Sequence, residues 1–138
     1  MIAPRLSALL RGSQRGILGS SRSFSTSSLR SETFRIQSMD DFKEKVLESE
    51  VPVIVDFSAV WCGPCKILGP RLDAAIAVTE GKVNLAIVDI DDHADLAMDH
   101  SVSAVPTVLA MKDGEVVDKF VGLIEEDKLL SFIGNLHE

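Results

Sequence analysis

Apolar positions between residues 34 and 138 follow two spacings in turn, one typical of β-strands and one typical of α-helices. The near-continuous apolar runs 51–57 and 82–90 indicate strands that are buried on both faces, as in the centre of a parallel sheet. Asp113-Gly114 separates two further β-rich runs and predicts a tight hairpin between them. The three remaining strands are expected at 34–36, 106–111 and 115–121.

Segments with helical periodicity lie between and after these strands, at 39–47, 64–78, 93–100 and 125–136. Ser38 followed by Asp41 is similar to a capping box and predicts the start of the first helix. Pro64 suits the first turn of the second helix, whereas Pro70 lies inside that helix and should kink it. The last helix is expected to be amphipathic and to turn its apolar side toward the core, with Leu129, Leu130, Ile133 and Leu136 on that side. The order βαβαβαββα predicts an α/β domain with a central mixed sheet of about five strands and helices on both faces.

Charge divides the chain into two parts of different composition. All five basic residues among the first thirty are arginines, and this part has no acidic residue. Residues 31–138 hold nine basic and 21 acidic residues, so their net charge is −12, against −7 for the whole chain. An acidic domain argues against nucleic acid as the main partner, since phosphate binding needs clustered Lys and Arg. The chain also has no run of about 18 apolar residues, so no transmembrane helix is expected.

Residues 1–31 have the arginine- and serine-rich, acid-free composition that is typical of an organelle transit peptide. The stretch 22–31 resembles the two-step mitochondrial processing pattern, with a first cut at Phe24 and a second cut that leaves Glu32 at the N-terminus. We therefore expect 1–31 to be a mitochondrial transit peptide that directs the chain to the matrix, and 32–138 to be the functional domain. A plastid signal and a plain basic tail are the alternatives.

The two cysteines lie in Trp61-Cys62-Gly63-Pro64-Cys65-Lys66, where a central strand is expected to turn into a helix. The partial positive charge and free N–H groups of a helix N-terminus stabilise an anion, so the pKa of the Cys62 thiol should be lowered. Cys65 lies one turn further along and can reach the sulfur of Cys62. Half of a zinc or iron–sulfur site is an alternative, but the chain has no third cysteine and its three histidines lack ligand spacing, so we expect no metal site. Two inert buried thiols are the other alternative.

These residues resemble the signature of the thioredoxin family, and the resemblance extends over 34–138. Val55-Asp56-Phe57 leads into the cysteine motif, and Ala104-Val105-Pro106-Thr107 is similar to the family's cis-proline loop. Lys112-Asp113-Gly114-Glu115 and Val121-Gly122 resemble its hairpin and the glycine that follows. Gly-Pro between the cysteines is similar to thioredoxins, whereas disulfide isomerases usually have Gly-His and glutaredoxins Pro-Tyr. The resemblance implies the thioredoxin fold.

The resemblance also implies a protein dithiol–disulfide oxidoreductase, that is, a disulfide reductase that carries electrons to target proteins. The Cys62 thiolate would attack a disulfide of the target, and Cys65 would then attack Cys62 and leave a Cys62–Cys65 disulfide. Asp56 is the expected base for Cys65, because burial in an apolar strand should raise the pKa of its carboxyl toward neutrality. A structural carboxylate that bonds to the backbone is the alternative for Asp56.

Six positions are implied to bind target proteins, namely Trp61, Gly63, Pro64, Val105, Pro106 and Gly122. Pro106, if its peptide bond is cis, would expose the backbone of Val105 to an extended segment of the target. Trp61 could instead be an aromatic residue of the core, but its place beside the cysteines favours the surface.

Two positions depart from the pattern of the family. Many thioredoxins have a second aromatic residue where this chain has Ser58, and a lysine near the buried aspartate where it has Ile87. Without that ammonium group, the pKa of Asp56 should be even higher than in the usual arrangement. The departure should alter the pH dependence of turnover but not the reaction.

No bound cofactor is expected, because the chain has neither a GxGxxG nor a P-loop pattern. The resemblance implies electrons from NADPH through a flavoprotein thioredoxin reductase, with peroxiredoxins and methionine sulfoxide reductases among the targets. The protein should act as a monomer, without nucleic acid and without stable membrane association. The alternative function is a redox-gated binding module that holds a partner in its reduced form and releases it on oxidation.

Overall fold

The computed structural model describes residues 30–137, so the predicted transit peptide, 1–31, lies almost wholly outside the described residues. In chain order the elements are β1 (Thr33–Arg35), α1 (Met39–Phe42) with a π-helical continuation (Lys43–Leu47), β2 (Val53–Ser58), α2 (Gly63–Ala77), β3 (Asn84–Asp89), α3 (Ala94–Asp99), β4 (Thr107–Lys112), β5 (Glu115–Val121) and α4 (Glu126–Leu136). The predicted order of elements is confirmed, and their bounds differ from the prediction by at most two residues. Within the described part, none of the helices combines the length and the apolar character that crossing a membrane requires.

The five strands form one mixed sheet in the order β1-β3-β2-β4-β5. β1 and β2 each pair parallel with β3, whereas β2 pairs antiparallel with β4, and β4 pairs antiparallel with β5. β2 lies at the centre, and its residues from Val53 to Phe57 are all buried, as the apolar run predicted. The mixed sheet inferred from the connections between strands is therefore confirmed.

Apolar side chains pack on both faces of the sheet. The core on one face includes Leu68 and Leu72 of α2 and Ile133 of α4. The core on the other face includes Phe42 of α1 and Leu96 of α3. The helices therefore cover both faces of the sheet, as predicted.

The last helix, α4, buries a narrower arc than its sequence pattern indicates. Leu129 and Ile133 are buried, but Leu130 is 46% exposed, so the prediction that Leu130 turns toward the core is wrong. The buried positions follow the spacing i, i+3, i+4, which selects Phe132 in place of Leu130. Phe132 packs edge-on against Phe120 of β5, with ring centroids 4.9 Å apart.

Two local signals in the sequence form the structures that they predict. Ser38 Oγ accepts a hydrogen bond from the N–H of Asp41 at 3.0 Å and caps α1. Asp41 Oδ2 accepts one from the N–H of Gln37 at 2.8 Å, which lowers the pKa of the Asp41 carboxyl. In the hairpin between β4 and β5, Asp113 and Gly114 have φ values of 54° and 81°, and a type I′ turn requires two such positive values.

Candidate active site

The cysteine motif lies at the junction of β2 and α2. Cys62 is the N-cap residue of α2, with an extended backbone, and Gly63 and Pro64 begin the helix. The Sγ atom of Cys62 accepts a hydrogen bond from the N–H of Cys65 at 3.2 Å. A disulfide joins Cys62 to Cys65, whose Cα atoms are 5.3 Å apart. The turn from strand to helix therefore brings the two sulfur atoms together.

This position also prepares Cys62 to act as a thiolate once the disulfide is reduced. The first N–H groups of a helix have no partner within the helix, and the dipole leaves a partial positive charge there. One of these groups, the N–H of Cys65, already donates to Cys62 Sγ. A negative charge on this sulfur would be stabilised, so Cys62 is the nucleophile that the geometry favours.

The disulfide distinguishes a redox-active pair from two inert buried thiols. Both sulfur atoms are engaged with each other, which two inert thiols would not be. Among residues 30–137, no three side chains of His, Cys, Asp or Glu gather as a metal site would need. The arrangement is that of a redox-active pair.

Asp56 lies in the middle of β2 with only 3% of its surface exposed. Its Oδ1 atom has no hydrogen-bond partner among the described residues, which does not fit a carboxylate that is satisfied by the backbone. Loss of solvation raises the pKa of Asp56 from 3.8 to about 6, against the opposing effect of the positive charge on Arg35. The raised pKa that burial predicted is confirmed, and the carboxyl can exchange a proton near neutral pH.

Asp56 and Cys65 line one cavity, which has a volume of about 420 Å³ and which we call the Asp56 cavity. The charged residues Arg35, Lys66 and Asp89 line it as well. A water molecule occupies about 30 Å³ in the liquid, so the Asp56 cavity has room for several. Asp56 and Cys65 therefore share one cavity that is wide enough for water.

Trp61 lies on the surface beside the disulfide and is 65% exposed. Its indole N–H donates a hydrogen bond to Asp91 Oδ2 at 2.9 Å, which fixes the orientation of the ring. The alternative of an aromatic residue in the core is therefore wrong for Trp61. Gly63 and Pro64 are exposed next to it, so the surface around the disulfide is open to a partner.

The loop before β4 completes this surface. The Val105–Pro106 peptide bond is cis, as the resemblance implied. Val105 packs against the cluster that Ala59, Cys62 and Cys65 form, and the N–H of Gly122 donates to the carbonyl oxygen of Pro106 at 2.8 Å. The six positions implied to bind target proteins thus gather around the disulfide.

Two residues of the site, Asp91 and Arg35, carry no signal of their role in the sequence. Asp91 follows β3 in a run of acidic residues, and nothing in that run singles out the residue that accepts from Trp61. Arg35 lies on β1, and it lines the Asp56 cavity because β1 pairs with β3. Only the order of strands in the sheet could have revealed Arg35.

Comparison with known proteins agrees with this geometry. The family model described as Thioredoxin matches residues 33–135. The protein from Bos taurus named "Thioredoxin, mitochondrial" is 60% identical over 115 residues, which are 83% of this chain and 69% of that protein. The one from Rattus norvegicus with the same name is 55% identical over 125 residues, 91% of this chain and 75% of that protein. The crystal structure of a thioredoxin from Malassezia sympodialis superposes with a TM-score of 0.71 and 33% identity, over 79% of this chain and 94% of that one.

These findings fix the class of partner and the compartment. The reaction of such a cysteine pair needs target proteins that contain a disulfide and a reductase that restores the dithiol. The protein is mitochondrial, as its relatives' names and the arginine-rich, acid-free composition of residues 1–30 both indicate. The chain belongs to the thioredoxin family and is a protein dithiol–disulfide oxidoreductase that works through Cys62 and Cys65.

Proposed function

We propose that the protein reduces disulfides of target proteins in the mitochondrial matrix, with electrons that come from NADPH through a flavoprotein thioredoxin reductase. The observation that carries this proposal is the Cys62–Cys65 disulfide at the N-terminus of α2, beside an exposed Trp61. Peroxiredoxins and methionine sulfoxide reductases are the proposed targets. The protein acts as a monomer and holds no cofactor of its own.

The reaction begins with the dithiol form, which the reductase produces by adding two electrons and two protons to the disulfide. The Cys62 thiolate attacks one sulfur of the target disulfide, so a mixed disulfide forms and the other target sulfur leaves as a thiolate. Cys65 then gives up its proton and attacks Cys62 Sγ. The Cys62–Cys65 disulfide forms again, and the target leaves with both of its sulfurs reduced.

Asp56 is the proposed base for Cys65. Its carboxyl shares the Asp56 cavity with Cys65, and burial raises its pKa to about 6. A base is most useful when its pKa lies near the working pH, because it is then both ionised and able to hold a proton. Above pH 6, the Asp56 carboxylate takes the proton of Cys65 and passes it to solvent through the cavity.

Targets bind on the surface around the disulfide, through Trp61, Gly63, Pro64, Val105, Pro106 and Gly122. Val105 is half-buried against the cysteines. An extended segment of the target pairs with the backbone of Val105, as an added strand pairs with a sheet edge. Pairing through the backbone allows targets with different side chains, which suits a reductase with many partners.

The electron route is tested by following NADPH oxidation with thioredoxin reductase and insulin as the disulfide substrate. The wild-type protein should sustain turnover, and both Cys62→Ser and Cys65→Ser should abolish it. Only Cys65→Ser should trap a mixed disulfide with the target, because its attacking residue, Cys62, is intact. Turnover that survives in Cys62→Ser contradicts the assigned nucleophile, and reduction with dithiothreitol but not with the reductase contradicts the route from NADPH.

The same variants separate this function from that of a redox-gated binding module. A binding module would hold a partner without covalent exchange, so it would bind equally well with Ser at position 62. For a reductase, stable capture of the target should depend on the Cys62 sulfur and should be reversed by a reducing agent.

A further inference from the structure

A row of side chains crosses three strands of the sheet beside the active site. Arg35 of β1 pairs with Ile87 of β3, and Ile87 pairs with Asp56 of β2. Side chains in one such row point to the same face of a sheet. Thr33, two residues before Arg35, confirms which face this is, because its hydroxyl donates to Asp73 of α2 at 2.7 Å. Arg35 and Asp56 therefore both face α2, with Ile87 between them.

The row also brings Arg35 into the Asp56 cavity. Neighbouring strands lie about 4.8 Å apart, so the backbones of Arg35 and Asp56 are about 10 Å apart, within reach of a long arginine side chain. Arg35 and Asp56 line the cavity together with Ile87. The ion pairs among residues 30–137 are Lys43–Glu48 and Lys45–Asp41, so Arg35 acts on Asp56 across the cavity and not by direct contact.

Among the residues that the structure describes, few charges face Asp56 from the elements around it. On α2 the charged group is Lys66, on β3 it is Asp89, and on β4 the neighbour of Asp56 is the apolar Val108. Among these groups, the positive charge of Arg35 is the one that lowers the pKa of Asp56 against the larger effect of burial. Ile87, the neighbour of Asp56 on β3, brings no charge, and Arg35, one strand further out, supplies the opposite charge.

We propose that Arg35 is a positioning residue for the thiol–disulfide reaction, and that its guanidinium, acting across Ile87, holds Asp56 in the ionised form that takes the proton of Cys65. The proposal rests on the proposed role of Asp56 as the base. Many thioredoxins have a lysine where this chain has Ile87. In this chain the positive charge comes instead from Arg35 on the edge strand β1. The proton balance is unchanged: the proton leaves Cys65, resides on Asp56 and passes to solvent through the cavity.

The test compares Arg35→Gln with the wild-type protein in the NADPH, reductase and insulin assay between about pH 5 and pH 9. The ratio of kcat/KM for the variant to that for the wild-type protein cancels the pH dependence of the reductase. We expect this ratio to be near one at high pH and to fall several-fold, up to about tenfold, at acid pH, where Asp56 without Arg35 is protonated. Arg35→Lys should keep the ratio near one at every pH.

Two further variants serve as controls for the charge itself. Arg71→Gln removes an equal charge from a different face of α2, in a groove beside α4, and its ratio should not change with pH. Arg35→Gln combined with Ile87→Lys puts a cation back into the same row and should restore the ratio. If Arg35→Gln loses activity only because it folds poorly, the loss should be similar at every pH. Recovery in the double variant that is largest at acid pH would then identify the missing charge, and not the fold, as the cause.

Asp56→Asn separates this proposal from the one on which it rests. If Asp56→Asn has the pH profile of the wild-type protein, Asp56 is not the base, and both proposals are overturned. If Asp56→Asn removes the acidic limb of the profile but Arg35→Gln leaves that limb in place, Asp56 remains the base and the role of Arg35 is overturned. A shift of the Asp56 carboxyl titration to higher pH in Arg35→Gln, followed by NMR, is the direct supporting result.

Discussion

Asp56, the proposed base for Cys65, is the residue in which stability and the proposed function oppose each other. An ionisable carboxyl with 3% exposure and an unpaired Oδ1 costs free energy whenever it is charged. Its raised pKa means that the folded protein binds a proton more tightly than the unfolded chain does. The free energy of unfolding should therefore fall as the pH rises from about 4 to about 6, and the loss should remain at higher pH. A pKa raised from 3.8 to about 6 corresponds to a cost of about 3 kcal/mol.

Asp56→Asn should remove this cost together with the base. We expect the variant to be more stable than the wild-type protein by up to about 3 kcal/mol above pH 6, and equally stable below pH 4, where the wild-type carboxyl is neutral. Its turnover should be slower. Urea unfolding of the oxidised proteins at several pH values measures the difference.

Asp41 provides a matched control with the opposite sign. Its pKa is lowered by the hydrogen bond from the Gln37 N–H, so its carboxylate stabilises the folded state at neutral pH. This contribution disappears as the pH falls through the lowered pKa. Asp41→Asn should therefore be less stable than the wild-type protein at neutral pH and should match it in acid. A stability difference for Asp56→Asn that stays constant with pH would contradict the burial of a titrating carboxyl.

At the scale of elements, the hairpin between β4 and β5 depends on one glycine. Gly114 has a φ of 81°, and a Cβ atom there would lie 3.1 Å from the carbonyl oxygen of Leu47. We expect Gly114→Ala to lower the free energy of unfolding by about 1–2 kcal/mol, because the left-handed conformation is costly for a residue with a side chain. Urea unfolding with an unchanged m value measures this loss.

Gly134 in α4 is the control for Gly114. It lies in a helix, and a Cβ atom there would meet nothing within 4 Å. Gly134→Ala should raise the free energy of unfolding by about 0.5–1 kcal/mol, since glycine is a poor helix former. Equal effects at the two positions would show that backbone conformation does not decide the stability of the hairpin.

The sequence predicts the elements better than their arrangement, and the reason is physical. Periodicity, the cap at Ser38 and the turn at Asp113 are local, so each can be recognised within a few residues. The order of strands is a property of the whole sheet, and it alone places Arg35 beside Ile87. The predicted burial of Leu130 is wrong because it depends on how α4 is rotated about its own axis against the sheet. Periodicity determines that rotation only to within one position.

At the scale of the whole molecule, the topology gathers the active site at one end of the sheet. Phe57 at the end of β2 pairs with Thr107 at the start of β4, which pairs with Val121 at the end of β5. After β2, the chain runs from this row to the cysteines. The cis-proline loop leads into the row at the start of β4, and β5 leads out of it to Gly122. Three distant segments therefore meet because two antiparallel pairings align their ends.

The boundary between the predicted transit peptide and the domain can be tested on the same molecule. Ser31 Oγ forms hydrogen bonds with Thr79 Oγ1 at 2.7 Å and with the N–H of Gly81 at 2.8 Å, so Ser31 ties the chain to the loop after α2. The predicted second cut, which leaves Glu32 first, would remove both bonds. A chain that begins at Glu32 should be less stable than one that begins at Ser31 by about 1–3 kcal/mol, at about 0.5–1.5 kcal/mol for each bond.

Two measurements complete this test. Ser31→Ala in the longer chain should reproduce most of the loss in urea unfolding, because it removes the same hydroxyl while the backbone stays. N-terminal sequencing of the protein from mitochondria then identifies the cut that occurs in the cell. A mature protein that starts at Glu32 lacks both hydrogen bonds of Ser31 and should have the lower stability. A protein that still starts at Met1 contradicts the predicted transit peptide.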